Sequence, residues 1–448
     1  NSNNRYNFTA RNTTHFLNDK LTLDIGAQYI VQNNKNMVSQ GQYYNPLPSL
    51  YLFPRGDNFD EIRLYERYNT NYGYMEQYWP YGDASLSLQN PYWIQNRINR
   101  TSNKKRYMMN ASLKWQAADW LNVVGRVNLD NSDYRNKNEK SASTLTTFCG
   151  VSGGFEDAMR QERSLYADFL ANIDKTFGDF HLTANVGASI YHTSMDQLYI
   201  AGDLVIPNFF QINNINFSAN YKPDPTGYED EIQSIFASAE LSWKNQLYLT
   251  VTGRNDWDSK LAFSKQKSFF YPSVGLSALL SEMVKLPEVI SYAKIRGSYT
   301  VVASSFDRFL TNPGYEYNSQ THNWANPTVY PMDNMKPEKT KSWEIGLNLK
   351  FWGNRFNLDA TYYRSNTLNQ TFKVDIPSSS GYKQAIVQAG NVQNQGLELA
   401  LGFNDKWAGF GWSSNATFTL NRNKVKRLAS GSVNPVTGEA IQMDEMNV

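Results

Sequence analysis

The sequence predicts an all-β protein, an antiparallel transmembrane β-barrel, and three observations carry that prediction. No run of about 18 apolar residues occurs in the 448 residues, so no segment suits a membrane-spanning helix. Apolar residues instead occupy every second position over long stretches, which indicates strands whose two faces meet different environments. Short and long connections between these stretches take turns along the chain, as they do in barrels that cross a membrane.

The clearest alternation lies on either side of a three-residue turn, "WGN" at 352–354. Over 343–351 the odd positions hold Trp, Ile, Leu, Leu and Phe, and the positions between them hold Glu, Gly, Asn and Lys. The pattern resumes with Phe356, Leu358 and Ala360. Strands of about ten residues, rising ~3.4 Å each and tilted by ~40°, span roughly 26 Å, which matches the apolar band of an outer-membrane barrel. Strands of soluble sandwiches are usually shorter, about 5–6 residues.

About fourteen strands are predicted by this criterion, in seven hairpins. They are 5–16 with 20–33, 105–116 with 120–135, 161–176 with 180–195, 230–243 with 247–258, 269–280 with 292–303, 338–351 with 355–373, and 388–403 with 410–424. Turns within hairpins are mostly short and are expected at the periplasmic rim. The long connections, 34–104, 196–229 and 304–337, are expected to be extracellular loops.

Tryptophans near the strand ends favour an aromatic girdle at the short-turn rim, although they could instead pack locally on the turns. They are Trp115, Trp120, Trp243, Trp352, Trp407 and Trp412. The predicted sheet would also have two unpaired edges, and in lipid each unsatisfied backbone group costs several kcal/mol. We therefore expect 1–448 to be part of a single, larger transmembrane barrel domain whose other strands lie outside this chain.

Four segments resemble the barrel of SusC/RagA-type TonB-dependent outer-membrane transporters. They are "MKPEKTKSWEIGLNLKFWGNRFNLDATYYRSNTLNQ" at 335–370, "SSSGYKQAIVQAGNVQNQGLELAL" at 378–401, "NPYWIQNR" at 90–97, and "LTVTGRNDWDSKLA…FFYPSVGLSALL" at 249–280. The second segment contains the glycine-rich run of the family, with Gly381, Gly390, Asn391, Asn394, Gly396 and Glu398. The last segment departs from the family at Trp257, where a glycine is common.

The resemblance implies a 22-stranded barrel, of which this chain looks like a middle piece without the plug domain and TonB box. It also implies energised import of an oligosaccharide or oligopeptide across the outer membrane of a Gram-negative bacterium. The expected partners are a SusD-like surface lipoprotein, TonB–ExbB–ExbD through segments absent from this chain, and outer-membrane lipid. Nucleic acid is not expected, because 43 basic residues balance 41 acidic ones. Rival interpretations are a passive porin or other large barrel, an outer-membrane enzyme, and a secreted adhesin.

The connection 34–104 is the candidate for recognition, because it holds ten tyrosines and two tryptophans. Flat rings flanked by Asn, Gln and Arg can stack on sugar rings and bind hydroxyl groups. The candidate substrate- or partner-binding residues are Tyr78, Trp79, Tyr81, Tyr92 and Trp93. The alternative is that these rings pack the loop on itself or on a partner lipoprotein, since a loop of this length needs a core of its own.

Catalytic or metal chemistry is not expected. The histidines, His15, His181, His192 and His322, are scattered, and a single cysteine, Cys149, excludes an intrachain disulfide and a zinc cluster. Asp256 and Asp258 lie two apart on the polar side of a predicted strand and could hold calcium. A polar lumen wall, with Arg254 pairing to them, is the favoured interpretation, so no cofactor is predicted.

Overall fold

The computed structural model describes residues 2–37, 39, 41–217, 223–311, 314–318, 323–331, 335–428, 432–433, 438 and 440–441. The strands are β1 (Ser2–Phe16), β2 (Leu21–Lys35), β3 (Glu66–Asn69), β4 (Tyr74–Gln77), β5 (Ile98–Ala118), β6 (Leu121–Lys140), β7 (Gly154–Phe177), β8 (Phe180–Asp203), β9 (Asp224–Trp243), β10 (Leu247–Asp258), β11 (Ser268–Leu279), β12 (Ile290–Ser304), β13 (Glu316–Asn318), β14 (Asn323–Ala325), β15 (Val329–Tyr330), β16 (Glu338–Phe351), β17 (Phe356–Asp375), β18 (Gln384–Trp407), β19 (Phe410–Arg427), β20 (Ser432–Val433) and β21 (Ala440–Ile441). The α-helices are α1 (Pro46–Tyr51), α2 (Pro91–Arg97) and α3 (Leu280–Met283), and 3-10 turns occupy Phe59–Arg63, Ile212–Asn214, Ser259–Leu261 and Ser378–Ser380.

Fifteen of these strands form one sheet, and its fourteen long members follow each other in chain order. The order is β1-β2-β5-β6-β7-β8-β9-β10-β11-β12-β16-β17-β18-β19, and every neighbouring pair is antiparallel. The two-residue β15 adds a parallel pairing at the start of β18. All fourteen predicted strands and their seven hairpins are therefore confirmed.

The register of the ladder keeps apolar residues on one face across the whole sheet. In the β16–β17 hairpin, Ile345 pairs with Tyr362, Leu347 with Ala360, and Leu349 with Leu358. The same rows continue into β18 and β19, where Leu399 pairs with Phe418 and Leu397 with Leu420. This apolar face is exposed in the isolated chain, with Phe418 at 54% for example. A sheet with such a face needs lipid or protein to cover it.

The opposite face, called the polar face below, carries ion pairs between strands. Arg11 on β1 pairs with Asp24 on β2, with a shortest N–O distance of 2.8 Å. Arg126 on β6 reaches Asp168 on β7 at 2.7 Å, and Arg296 on β12 reaches Asp359 on β17 at 3.1 Å. Arg126 and Asp168 are directly opposite each other in the ladder, whereas Arg296 reaches Asp359 across the intervening strand β16. The polar face is therefore an aqueous wall, as the alternation predicted.

Several strands extend further than the alternation indicates. The structure gives β7 and β8 24 residues each, against 161–176 and 180–195 in the prediction. On the apolar face of β6 and β7, the paired residues Leu129 and Leu165 are followed by the paired residues Asn131 and Arg163. Both faces therefore become polar while the backbone pairing continues. For the same reason β2 reaches Lys35 and β5 begins at Ile98, and the connection between them is 36–97 rather than 34–104.

The six tryptophans near the short turns are all exposed. Two of them contact a phenylalanine across their own turn: Trp352 lies 5.2 Å from Phe356, and Trp407 lies 6.0 Å from Phe410, between ring centroids. Rings that pack on their own turns thus also form part of an exposed rim. In the part of the chain that the structure describes, no helix is long and apolar enough to span a bilayer.

The two ends of the sheet are β1 and β19. Within the described residues β1 pairs only with β2, and β19 only with β18. Closure by further strands into a 22-stranded barrel stays a prediction.

The two faces give a direct test of membrane orientation. Arg in place of Leu249, Leu347 or Phe418, on the apolar face, should lower the free energy of unfolding of the full-length barrel by ~2–4 kcal/mol near the bilayer midplane. The matched controls are the next residues on the polar face, Thr250→Arg and Thr419→Arg, which should cost much less because water solvates the guanidinium. The measurement is refolding into lipid vesicles, and equal losses in both sets contradict the assignment of faces.

Candidate binding site on the long loops

The connection 36–97, called the aromatic loop below, folds around the motif "NPYWIQNR". Asn90 begins α2, because its side chain accepts a hydrogen bond from the Tyr92 amide at 2.9 Å and Pro91 occupies the first helical position. Asn90 is fully buried, and its Nδ2 donates to the carbonyls of Ile62 at 2.8 Å and Tyr78 at 3.2 Å. One side chain therefore fixes the helix start and two other segments of the loop.

Trp93 is the centre of the core of the aromatic loop. Its exposed fraction is 0%, and it clusters with Ile94 and Ile98. The indole Nε1 donates to Thr144 Oγ1 at 3.1 Å. Trp93 has no exposed surface with which to contact a ligand. For this residue the alternative interpretation holds, in which the ring packs the loop on itself.

Two other candidate residues, Trp79 and Tyr81, are only half-buried. Trp79 and Tyr81 contact edge to face, with ring centroids 5.0 Å apart, and Trp79 Nε1 donates to the Gly82 carbonyl at 2.7 Å. Tyr81 contacts Phe53 at 5.1 Å, and Phe53 contacts Phe59 at 5.3 Å. These four rings, Phe53, Phe59, Trp79 and Tyr81, are called the aromatic surface below.

The remaining candidates, Tyr78 and Tyr92, are half-buried and do not join the aromatic surface. The Arg67 guanidinium lies over the Tyr78 ring, 3.4 Å from its centroid, which is a cation–π geometry. Tyr92 stacks on Tyr65 at 6.4 Å. The structure thus brings two of the five candidates together, places two on other faces of the loop, and buries the fifth.

The aromatic loop also exposes tyrosines that sequence reasoning did not single out. Tyr51 is 83% exposed, and Tyr68 and Tyr72 are exposed as well. Tyr72 stacks on Tyr74 at 5.6 Å. Their signal in the sequence is only that they belong to the same tyrosine-rich connection, because no neighbouring motif marks them.

The connection 141–153 supports the aromatic loop from the side. The Gln77 amide donates to Ser143 Oγ at 3.0 Å, and the Leu145 amide donates to Gln89 Oε1 at 3.1 Å. Farther along, the Ala142 amide donates to Asn208 Oδ1 at 2.8 Å, which ties in the next long connection. Contacts between loops so far apart in sequence could not be predicted from it.

Cys149 lies in this supporting connection and is buried. Burial raises the pKa of its thiol to about 11; the nearby Lys140 ammonium opposes this shift, and the Asp203 carboxylate adds to it. The thiol is therefore protonated at neutral pH. A buried neutral thiol of this kind acts as a small apolar core group.

Most of the residues weighed for metal or catalytic roles already have partners, although Asp258 Oδ2 is buried without one in the described part of the chain. Asp256 accepts from Arg254 Nε at 2.7 Å and from the Tyr271 hydroxyl at 2.5 Å, and Asp258 Oδ1 accepts from the Lys260 amide. His15, His181 and His192 each face one carboxylate, at 3.6–3.9 Å, whereas His322 lies outside the described residues. The described residues contain no group of three or more His, Cys, Asp or Glu that could hold a metal ion.

An up-and-down antiparallel sheet with one apolar face, one polar face, short turns at one rim and folded loops at the other defines a large transmembrane β-barrel. The chain belongs to the family described as "TonB dependent receptor-like, beta-barrel", which matches residues 48–441. The resemblance to SusC/RagA-type transporters is thereby confirmed.

Individual relatives agree with this assignment. "TonB-dependent receptor P3" of Formosa agariphila is 25% identical over 301 residues, which are 64% of this chain and 30% of the relative. "TonB-dependent receptor SusC" of Bacteroides thetaiotaomicron is 26% identical over 216 residues, 44% of this chain and 21% of the relative. These alignments thus span less than a third of either curated relative.

Solved structures share the fold. The RagAB peptide importer in its open-open state superposes with a TM-score of 0.77 at 16% identity, over 97% of this chain and 48% of that chain. The siderophore receptor PiuA from Acinetobacter baumannii gives a TM-score of 0.53 at 13% identity, over 99% of this chain and 59% of that chain. At these identities the likeness concerns the fold.

The burial difference between the two tryptophans of the aromatic loop predicts different outcomes on truncation. Trp93→Ala removes a fully buried indole, which typically costs ~3–5 kcal/mol, and leaves Thr144 without its partner. We expect the aromatic loop to become sensitive to protease while the barrel keeps its heat-modifiable mobility. Trp79→Ala is the matched control and should leave the cleavage rate nearly unchanged. Equal sensitivity of both variants contradicts a core role that is particular to Trp93.

The raised pKa of Cys149 predicts slow alkylation. Only the thiolate reacts, so labelling by iodoacetamide should be negligible at pH 8 and should increase as the pH rises towards about 11. A matched control is Val151→Cys in a Cys149→Ser background, because residue 151 is 72% exposed. That cysteine should react readily at pH 8. Rapid labelling of Cys149 in the folded protein at pH 8 contradicts the burial of this loop.

Proposed function

We propose that this chain is the barrel part of a TonB-dependent importer that carries a large nutrient, an oligosaccharide or an oligopeptide, across the outer membrane. The observation that carries the proposal is that the chain belongs to the TonB-dependent receptor family. Its sheet agrees with this, because it has an apolar outer face and a polar inner face. The work of such a protein is non-covalent: capture, energised opening and passage. The energy for opening would come from TonB–ExbB–ExbD.

The proposal includes a SusD-like surface lipoprotein over the extracellular mouth. Its support is the homology to SusC and the exposed apolar residues of the aromatic loop, among them Tyr51, Leu52, Leu64 and Tyr68. Exposed apolar groups concentrated on one loop favour a protein or ligand contact there. The aromatic surface offers rigid rings that order at little entropic cost, which suits substrate contact.

The function is tested with the full-length protein in its own host. Deletion of the gene should abolish uptake of one labelled pool, neutral oligosaccharides or oligopeptides, and so should deletion of tonB or dissipation of the proton gradient. Uptake that survives loss of TonB identifies a passive porin instead. Co-purification of a surface lipoprotein with the tagged barrel tests the partner, and recovery of a barrel without one argues against the lid.

The aromatic surface predicts residue-specific losses. Trp79→Ala and Tyr81→Ala should each weaken substrate capture or lipoprotein binding by about tenfold or more, the range of an interface hot spot. Barrel assembly should be unaffected. Trp352→Ala is the matched control, because Trp352 is 56% exposed and lies on a short turn at the opposite rim. If all three variants bind substrate and lipoprotein like the unmodified protein, recognition lies elsewhere, in the connections after β8 or β12.

A further inference from the structure

A recess with a volume of about 360 Å³ opens beside the base of the aromatic loop. Two neighbouring rows of the ladder line it on the polar face. One row consists of Asn34, Ser102, Asn136, Ala158 and Tyr199, and the next of Arg100, Asn138 and Glu156. Ala158 is the smallest side chain in its row and stands between the larger Asn136 and Tyr199, which leaves space above it. Binding pockets for small ligands have volumes of this order.

Arg100 sets the charge of the recess. Its guanidinium donates to Ser39 Oγ and to the Met37 carbonyl, the latter at 2.7 Å, and both of these acceptors are neutral. In the described part of the chain it has no carboxylate partner, unlike Arg11, Arg126 and Arg296 on the same face. Burial lowers the pKa of Arg100, so its charge is partly desolvated. The guanidinium also lies 5.5 Å from the centroid of the Tyr44 ring, but no carboxylate of the described residues neutralises it.

The one carboxylate that lines the recess is already neutralised. Glu156 forms a salt bridge with the Lys140 ammonium, which is itself buried, and accepts from Asn138 Nδ2 at 3.3 Å. Lys140 also donates to the Phe148 carbonyl at 3.1 Å, which holds its ammonium in place beside Glu156. The recess therefore keeps a net positive charge.

Hydrogen-bond donors surround that charge. The amide N–H groups of Asn34 and Asn136 and the hydroxyl of Ser102 donate no hydrogen bond within the described residues. A carboxylate accepts about four hydrogen bonds and pairs well with a guanidinium. A neutral sugar ring would use the amides and the hydroxyl but would leave the Arg100 charge unpaired.

We propose that this recess binds a carboxylate of the imported oligomer, either the C-terminal carboxylate of a peptide or a uronate of an acidic oligosaccharide. The proposal rests on the proposed import function and adds a chemical preference to it. Met37 and Ser39 belong to the first segment of the aromatic loop, so a ligand bound to Arg100 contacts both the loop base and the barrel wall. The aromatic surface would bind rings of the oligomer, and the recess would select oligomers that carry a carboxylate.

The test uses the purified full-length protein and two pairs of probes that differ in one charge. One pair is a peptide with a free C-terminus and the same peptide with a C-terminal amide. The other is an oligouronate and its carboxyl-reduced, neutral counterpart. Calorimetry should show that the carboxylate member of one pair binds about tenfold or more tighter than its neutral member, and which pair does so identifies the source. Equal binding within both pairs overturns the proposal without any variant.

Two variants locate the effect. Arg100→Gln removes the charge and keeps hydrogen-bond donors, whereas Ala158→Phe fills the recess and leaves Arg100 and its contacts in place. Both should abolish the preference for the carboxylate while the neutral probe keeps its affinity. Lys114→Gln is the matched control, because Lys114 is an exposed polar-face cation on β5 far from the recess, and the preference should persist. A preference that survives Ala158→Phe also overturns the assignment.

Failure of this inference and failure of the import function give different results. If neutral oligomers enter in a TonB-dependent way and no carboxylate preference exists, the recess is a plain part of the wall and the import function stands. If no oligomer enters in a TonB-dependent way, the function itself is wrong. If Arg100→Gln loses binding of the neutral probe and Ala158→Phe does not, Arg100 supports the base of the loop. The carboxylate preference of Ala158→Phe then decides whether the recess binds a carboxylate.

Discussion

The whole architecture depends on the need of backbone N–H and C=O groups for partners where water is absent. In hydrocarbon each unpaired group costs several kcal/mol, so the chain must pair every strand with two neighbours. Consecutive antiparallel hairpins do this with short turns, and the period of two then separates the side chains into two sets. The outer set must be apolar because it meets lipid, and the inner set is free to be polar. The rows through Leu347 and Ala360 on one face and Arg296 and Asp359 on the other are the direct result.

The same principle explains which parts of the fold the sequence could predict. Within the bilayer the two faces differ in chemistry, so the alternation is strong and all fourteen strands were found from it. Above the bilayer both faces of β6 and β7 meet water, and the alternation disappears while the hydrogen bonds continue. The extensions from Gly154 in β7 and to Asp203 in β8 were therefore missed. Backbone hydrogen bonding fixes the strands there, and it does not depend on an alternation of apolar and polar residues.

The loops show the opposite limit. Sequence reasoning identified the right connection, because ten tyrosines in one stretch are conspicuous, but it could not separate buried rings from exposed ones. Trp79 and Trp93 are alike in type and in polar surroundings, yet one is half-buried and the other is wholly enclosed. The enclosure comes from Thr144, about fifty residues away, and from segments that Asn90 holds in place. The Asn-Pro pair did contain a helix-start signal that could have placed Trp93 on a helix inside the loop.

On the polar face, the partner of an arginine separates structural arginines from candidate ligand-binding ones more clearly than residue type does. An arginine that faces a carboxylate on the next strand, as Arg126 faces Asp168, is satisfied by the wall itself and has little affinity left for a passing ligand. Such pairs keep the polar face hydrated but bind a ligand only weakly. Passage of a ligand along this face requires weak binding. An arginine with only neutral acceptors retains its Coulombic attraction, and partial burial makes that attraction less screened than it would be in open water. Arg100 differs from Arg11, Arg126 and Arg296 in this respect, and it lies at the base of the aromatic loop. In the proposed function, capture by rings and selection by charge would be separated in space, and a bound oligomer would be held tightly at the mouth and weakly along the lumen.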